Sequence, residues 1–235
     1  MRWTLLIFMT LTAAVLGQDE KSRVQLIAIG NDPLDDLAFF PLPLTYLPPG
    51  VFFENSAGEV AGVSLTLGKL SERVEVPGGE LKLPMRLQKS ASIEPWFEVT
   101  LPATGDYLLV LSKPQGAVNA GWEKVQSEVV DLGDDRDLPE GSIRFVNASK
   151  RKLMMKVGGE KVFMVKAGSV AVRERPPEET KLTIGFQDGD GSRRMAYQKP
   201  LPQAQEGERL SCFVFDDEEK VAIKIVKEEP AKVGP

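Results

Sequence analysis

Histidine is absent from the 235-residue chain. That excludes a Ser-His-Asp triad, a Cys-His dyad, the HExxH zinc site and any proton transfer by imidazole. There is a single cysteine, Cys212, so no intramolecular disulfide forms and no multi-cysteine zinc or iron–sulfur centre can be built. Basic residues are in deficit, with 29 Lys and Arg against 34 Asp and Glu and a net charge of −5. Nucleic acid, which needs clustered lysine and arginine, is therefore not an expected partner. No window shows the 3.6-residue period of an amphipathic helix outside the N-terminal segment. No P-loop, dinucleotide fingerprint or nucleophile elbow occurs. No cofactor and no enzymatic activity are expected.

The N-terminal segment is different in kind. Arg2 supplies a short positive region, Thr4 to Leu16 is uncharged and largely apolar, and Val15 and Gly17 are small enough to flank a cleavage site. Gln18-Asp19-Glu20-Lys21 then turns polar. This is the pattern of a secretory signal peptide over 1–17. The apolar run is shorter than the roughly 20 residues that cross a bilayer, and no later run approaches that length. The expected location is secreted or periplasmic, in a cell envelope, with no membrane span after cleavage. An uncleaved signal would instead serve as an anchor.

What fills the rest is alternation. Val24-Gln25-Leu26-Ile27-Ala28-Ile29, Trp96 to Leu101, Tyr107 to Leu111, Ile143 to Val146, Lys181 to Phe186 and Leu210 to Phe215 read as short strands separated by Gly, Pro, Asn and Asp. The 21 glycines and 17 prolines suit many turns. The two halves echo each other in order. Pro48 to Phe52 resembles Pro139 to Ile143, Val76 to Gly79 resembles Val165 to Gly168, and Leu101-Pro102 with Gly105 resembles Leu201-Pro202 with Gly207. The expected architecture is all-β: two tandem antiparallel β-sandwich modules, Ig-like or prealbumin-like, after the signal peptide. Module A covers 22–114, a linker 115–122, module B 123–228 and a flexible tail 229–235.

Few residues suggest chemistry. Asp188-Gly189-Asp190-Gly191 resembles part of a calcium loop, but the acidic ligand required about nine residues on is missing. It reads as a hairpin turn, so no metal site is expected. Asp35-Asp36, Asp134-Asp135 and Asp216 to Glu219 are paired carboxylates of the type a glycoside hydrolase uses. None lies in an apolar setting that would raise a pKa, and the last group reads as an exposed hairpin turn. Lys150-Arg151-Lys152 reads as a solvated turn, and Cys212 as a small buried hydrophobe. The segment from Asp32 to Gly50 carries five prolines together with Phe39, Phe40 and Tyr46. It is the candidate partner-docking surface. Trp96 and Trp122 are the candidate ligand-stacking rings, with Trp122 also placed to plug the module junction. Asn147-Ala148-Ser149 is a glycosylation sequon, meaningful only in a eukaryotic secretory pathway.

The stretch Gly141 to Gly168, GSIRFVNASKRKLMMKVGGEKVFMVKAG, resembles a recurring pattern in uncharacterised exported proteins of Verrucomicrobia-type bacteria. In these a G-S-[VI]-R-F-[VI]-N-x-S strand precedes a short strand, a Gly-Gly turn and an Ala-Gly turn. The resemblance extends to the Trp96 segment and the Leu101–Leu111 hairpin. It implies export and tandem β-domains, and it transfers no site residue. The expected role is a non-catalytic binding or structural module of a bacterial envelope, its partner an envelope protein or polysaccharide. A carbohydrate- or small-ligand-binding module using exposed aromatics is the first alternative, and a carboxylate-based hydrolase the second.

Overall fold

A computed structural model describes residues 21–29, 47–90, 92–113, 122–133, 138–175, 179–187, 191–201, 207–217 and 220–228. The expected signal peptide over 1–17, the carboxylate pairs Asp35-Asp36 and Asp134-Asp135, Phe39, Phe40, Tyr46, residues 115–121 of the expected linker, Asp188 to Asp190 and the expected tail 229–235 lie outside them. Among the described residues every regular element is a strand.

The first eight strands are β1 Lys21–Ile29, β2 Gly50–Glu54, β3 Val60–Ser64, β4 Val74–Pro77, β5 Leu81–Met85, β6 Phe97–Leu101, β7 Asp106–Ser112 and β8 Gln126–Asp131. The second eight are β9 Ser142–Ala148, β10 Leu153–Val157, β11 Phe163–Val165, β12 Ser169–Glu174, β13 Lys181–Gln187, β14 Arg193–Pro200, β15 Arg209–Asp217 and β16 Lys220–Glu228. One sheet runs β4-β1-β7-β8. The pairs β2-β3 and β5-β6 join edge to edge where Phe52 and Arg86 exchange backbone hydrogen bonds of 2.8 and 2.9 Å. Their combined order is β3-β2-β5-β6. In the second half the sheets run β12-β9-β15-β16 and β11-β10-β13-β14. Adding eight to each strand number of the first half reproduces the second.

The expectation of wholly antiparallel sheets is corrected. β1 runs parallel to β7, with Val24 opposite Tyr107, and β9 runs parallel to β15, with Ile143 opposite Leu210. The physical reason is burial on both faces. Val24, Leu26 and Ala28 point into one core, while Ile27 and Ile29 point into another. Parallel strands in proteins are characteristically covered on both sides and read as continuous apolar runs, as Tyr107-Leu108-Leu109-Val110-Leu111 does.

Three cores result. The first lies between β4-β1-β7-β8 and the β2, β3, β5 and β6 strands, and includes Leu26, Phe53, Met85, Leu109 and Trp122. The second, between the two sheets of the second half, includes Phe145, Met155, Ile184 and Cys212. The third joins the halves. Ile27, Leu108, Val110 and Val130 pack against Val146, Ala148, Phe213 and Val226. The inner sheets of the two halves thus lie face to face, at about 1.5–3 kcal/mol for each large apolar side chain buried.

Two boundary expectations change accordingly. β8, expected to open the second module, pairs along β7 from Tyr107↔Asp131 to Ser112↔Gln126 and completes the first half's sheet. Most of the repeat echoes also slip by one strand. Val51 stands in β2, whereas Ile143 stands in β9, the counterpart of β1. Val76 is in β4 and Val165 in β11, the counterpart of β3. Leu101 and Gly105 against Leu201 and Gly207 is the pair that falls on equivalent ground, between sixth and seventh strands. Strand and turn signals recur at short intervals, so a slip of one strand preserves the pattern.

Candidate functional site

A cavity of about 510 Å³ opens at one end of the third core, lined by Ser112, Gln126, Glu128, Lys150, Arg151 and Asp216 among others. Each wall has a local cause. β7 ends at Ser112 and β8 begins beside it, which brings Ser112 opposite Gln126. From the other half, β9 ends at Ala148, and Lys150 and Arg151 occupy the turn to β10. That turn is fixed by Asn147, whose Nδ2 donates to the Arg151 carbonyl at 2.7 Å and the Val165 carbonyl at 3.1 Å. Its Oδ1 accepts from the Ser149 backbone N–H and from the Ser149 hydroxyl. Asn147 is fully buried, so the sequon serves as an internal turn brace.

Asp216 closes the cavity at the end of β15. Its Oδ2 accepts from the Lys150 backbone N–H at 2.8 Å, and its Oδ1 lies 3.4 Å from Arg151 Nε. Oδ1 is buried and accepts no hydrogen bond, although an ionised carboxylate has about four acceptor positions to fill. Arg151 is held from behind by the Phe186 ring, with the guanidinium carbon 4.5 Å from the ring centroid. Glu128 faces the same space from β8. Its carboxyl sits above the usual glutamate range, chiefly because it is partly withdrawn from water. Lys150 opposes that rise and Asp216 adds to it. The arrangement offers hydroxyls, an amide, two cationic side chains and two carboxylates, a set suited to a small polar molecule.

Of the residues expected from sequence, Trp122 is corrected. It is fully buried in the first core, beneath the Lys113 ammonium 5.5 Å from its ring centroid, and presents no face to a ligand. It is core rather than junction, because the carbonyl of Trp122 accepts from Trp96 Nε1 at 2.7 Å and ties this segment to β6. Trp96 is half-buried and meets Phe97 edge-on, at 5.0 Å and 76°. Both rings are half-buried and pack on the first core. Tyr107 is likewise buried, its hydroxyl donating to the Ala103 carbonyl at 3.0 Å.

Of the cavity residues, Lys150, Arg151 and Asp216 read from sequence as parts of exposed turns. Lys150 and Asp216 are 66 positions apart, and nothing local signals that they meet. Glu128 carries no distinguishing sequence feature.

No family model matches the chain, and no curated protein matches it. Among solved structures it is similar to the Bacillus anthracis TIE protein, with 12% identity and a TM-score of 0.23 over 84% of this chain and 34% of that one. The chain thus spans about a third of that protein's length, and a likeness this slight carries no argument about function.

Cys212 is buried in the second core, and burial pushes its thiol up to about 12. The thiolate is the reactive form. Ellman's reagent at pH 8 should therefore leave native Cys212 unmodified and react fully once the protein is unfolded. Reaction of the native thiol at the unfolded rate would contradict the packing. The same shift has a stability consequence. The folded state holds the proton more tightly, so the contribution is complete below the ordinary thiol value near 9. It is lost as pH rises from there toward 12, where the unfolded chain alone ionises.

Proposed function

We propose that the chain is an exported, non-catalytic binding module of a bacterial cell envelope, secreted or periplasmic, built from two tandem prealbumin-like sandwiches. We further propose that the cavity between its inner sheets takes a small polar ligand. The repeated strand order supports the tandem reading. In an Ig-like sandwich the first two strands share a sheet. Here β1 lies between β4 and β7 while β2 belongs to the opposite sheet, which favours the prealbumin-like alternative. The signal pattern over 1–17 and the resemblance of Gly141–Gly168 to exported proteins support the location.

The observation that carries the ligand reading is the convergence of Ser112, Gln126, Glu128, Lys150, Arg151 and Asp216 on one cavity of about 510 Å³. Hydroxyl or ammonium donors of a ligand would meet the carboxylates of Glu128 and Asp216, and its acceptors the Lys150 and Arg151 cations. Polyhydroxylated ligands fit this set better than the paired stacking expected from sequence, since Trp122 is fully buried and Trp96 is half-buried against the first core. Calorimetric titration of the purified protein against a panel of mono- and disaccharides and envelope amino sugars tests the reading. Asp216→Asn should weaken any binding by at least about tenfold, the value of one charge-assisted hydrogen bond. Binding indifferent to Asp216→Asn would place the ligand elsewhere.

A hydrolase remains the second reading for one reason: Glu128 and Asp216 line the same cavity, and partial withdrawal from water raises the Glu128 carboxyl above its usual range. A carboxyl raised in this way is what a general acid requires. Turnover of chromogenic glycosides abolished by Glu128→Gln would favour it over the binding module.

A further inference from the structure

The outer face of the β11-β10-β13-β14 sheet combines an apolar stripe with a cationic frame. Met154 on β10 pairs with Met164 on β11 and with Gly185 on β13, and Gly185 pairs with Met195 on β14. Strand alternation sends this row outward. Leu153, Met155 and Val165 are buried in the second core, while Met164 is 41% and Met195 64% exposed. Gly185 keeps the row continuous. A Cβ there would lie 2.8 Å from the Arg194 carbonyl oxygen and 3.6 Å from the Met154 methyl, so that methyl extends over the glycine. Three thioether side chains thus cross all four strands, a span of roughly 14 Å. Val162, 58% exposed, flanks β11 beside them. Val162, Met164 and Met195 are the large hydrophobics exposed among the described residues, and all belong to this face.

Lys152 and Lys156 bracket Met154 on the same side of β10, and Lys166 lies beyond Met164. On the far strands Lys181 and Arg193 occupy outward positions, opposite Pro200 and Gln187. Among the described outward positions of these four strands there is no acid. The face is thus locally cationic on a chain whose net charge is −5. The counterpart sheet of the first half differs. There Lys82 Nζ sits 3.6 Å from Glu98 Oε1, and the Phe52 ring is packed over Gly62.

We infer that this face is a docking surface for an anionic lipid bilayer. The charge pattern asks for anions, and the methionine stripe asks for an apolar surface behind them. A bilayer interface supplies both, whereas a polysaccharide supplies only the first. Methionine side chains are flexible and conform to a fluid partner. Each lysine or arginine near an anionic membrane contributes about 1 kcal/mol, and the effect decays within a Debye length. A concentration of positive charge on one face of a chain of net charge −5 steers that face toward such a surface. The inference stands apart from the cavity, which opens between the inner sheets.

Cosedimentation of the purified protein with phosphatidylcholine vesicles, with and without phosphatidylglycerol, tests it. Binding is expected only with phosphatidylglycerol, and it should be lost in about 1 M salt. Lys152→Glu with Lys156→Glu should weaken it at least about tenfold, and Met164→Ser with Met195→Ser should weaken it at unchanged charge. Lys82→Glu, on the other half's outer sheet, should leave it unaltered. Peroxide oxidation of the unmutated protein adds a test free of folding effects. Phosphatidylglycerol vesicles should protect Met164 and Met195, and phosphatidylcholine vesicles should not. No vesicle binding, equal binding to both compositions, or binding with these two methionines unprotected would overturn the inference. The last of these, or capture by an acidic soluble protein alone, would assign the face differently.

Discussion

Phe213→Ala is expected to lower the unfolding free energy by about 3–5 kcal/mol, the usual range for removing a fully buried phenylalanine. The side chain has no exposed surface and belongs to the third core, between the inner sheets, rather than to the first or second core. If the halves were separate modules on a linker, this ring would face water, and its truncation would fall within about 0.5 kcal/mol. The chain carries its own reporters for the two halves. Trp96 and Trp122 lie in the first half, and Cys212 lies in the second. In urea the tryptophan emission change and the exposure of the Cys212 thiol should therefore coincide for the native sequence. Phe213→Asp places a charge among the apolar side chains of the third core, and should separate the two transitions while leaving the first and second cores to fold. An unchanged tryptophan midpoint in Phe213→Ala would mean that the inner sheets are not energetically joined.

The second large effect concerns a buried charge. Arg144 on β9 is 1% exposed, and its Nη1 lies 3.3 Å from the Glu228 Oε1 of β16, an oxygen that also accepts from the Ser211 hydroxyl. Removing one member of a buried pair costs about 3–5 kcal/mol, because the other stays charged without compensation. Arg144→Met should lose that amount. Arg144→Met combined with Glu228→Leu should recover most of it, since apolar groups of similar volume replace a buried pair with little penalty. A double variant as unstable as the single one would mean that Arg144 is held mainly by other partners. Chemical unfolding of both, in a double-mutant cycle, separates the outcomes.

Strands were legible in the sequence because alternation is a local property. The Val24–Ile29 and Tyr107–Leu111 runs both appeared, and both form. Their pairing was not legible. Val24 meets Tyr107 across a parallel ladder, and nothing within either run names the other. One clue was present. Five consecutive apolar residues from Tyr107 to Leu111 exceed what a strand with one wet face requires, and they signal cover on both sides. The matching strand order of the two halves was not legible in register, since turns repeat too often to fix which strand answers which. The cavity was the least legible part. Asp216 belongs to an acidic run that local pattern assigns to solvent. The backbone N–H of Lys150 and the guanidinium of Arg151, brought up by the Asn147 turn, draw its carboxylate inward.

The parallel pairs also set an orientation. β7, β9 and β15 all end at the cavity, with Ser112, Ala148 and Asp216 around it. β1 runs with β7, so its first residue, Lys21, lies at the far pole. β16 returns against β15, which brings Glu228 to that same far pole, opposite Arg209. The described chain therefore enters and leaves at one end and holds its cavity at the other. A tether joined at Lys21 or Glu228 would hold the cavity like the mouth of a cup, turned away from the point of attachment.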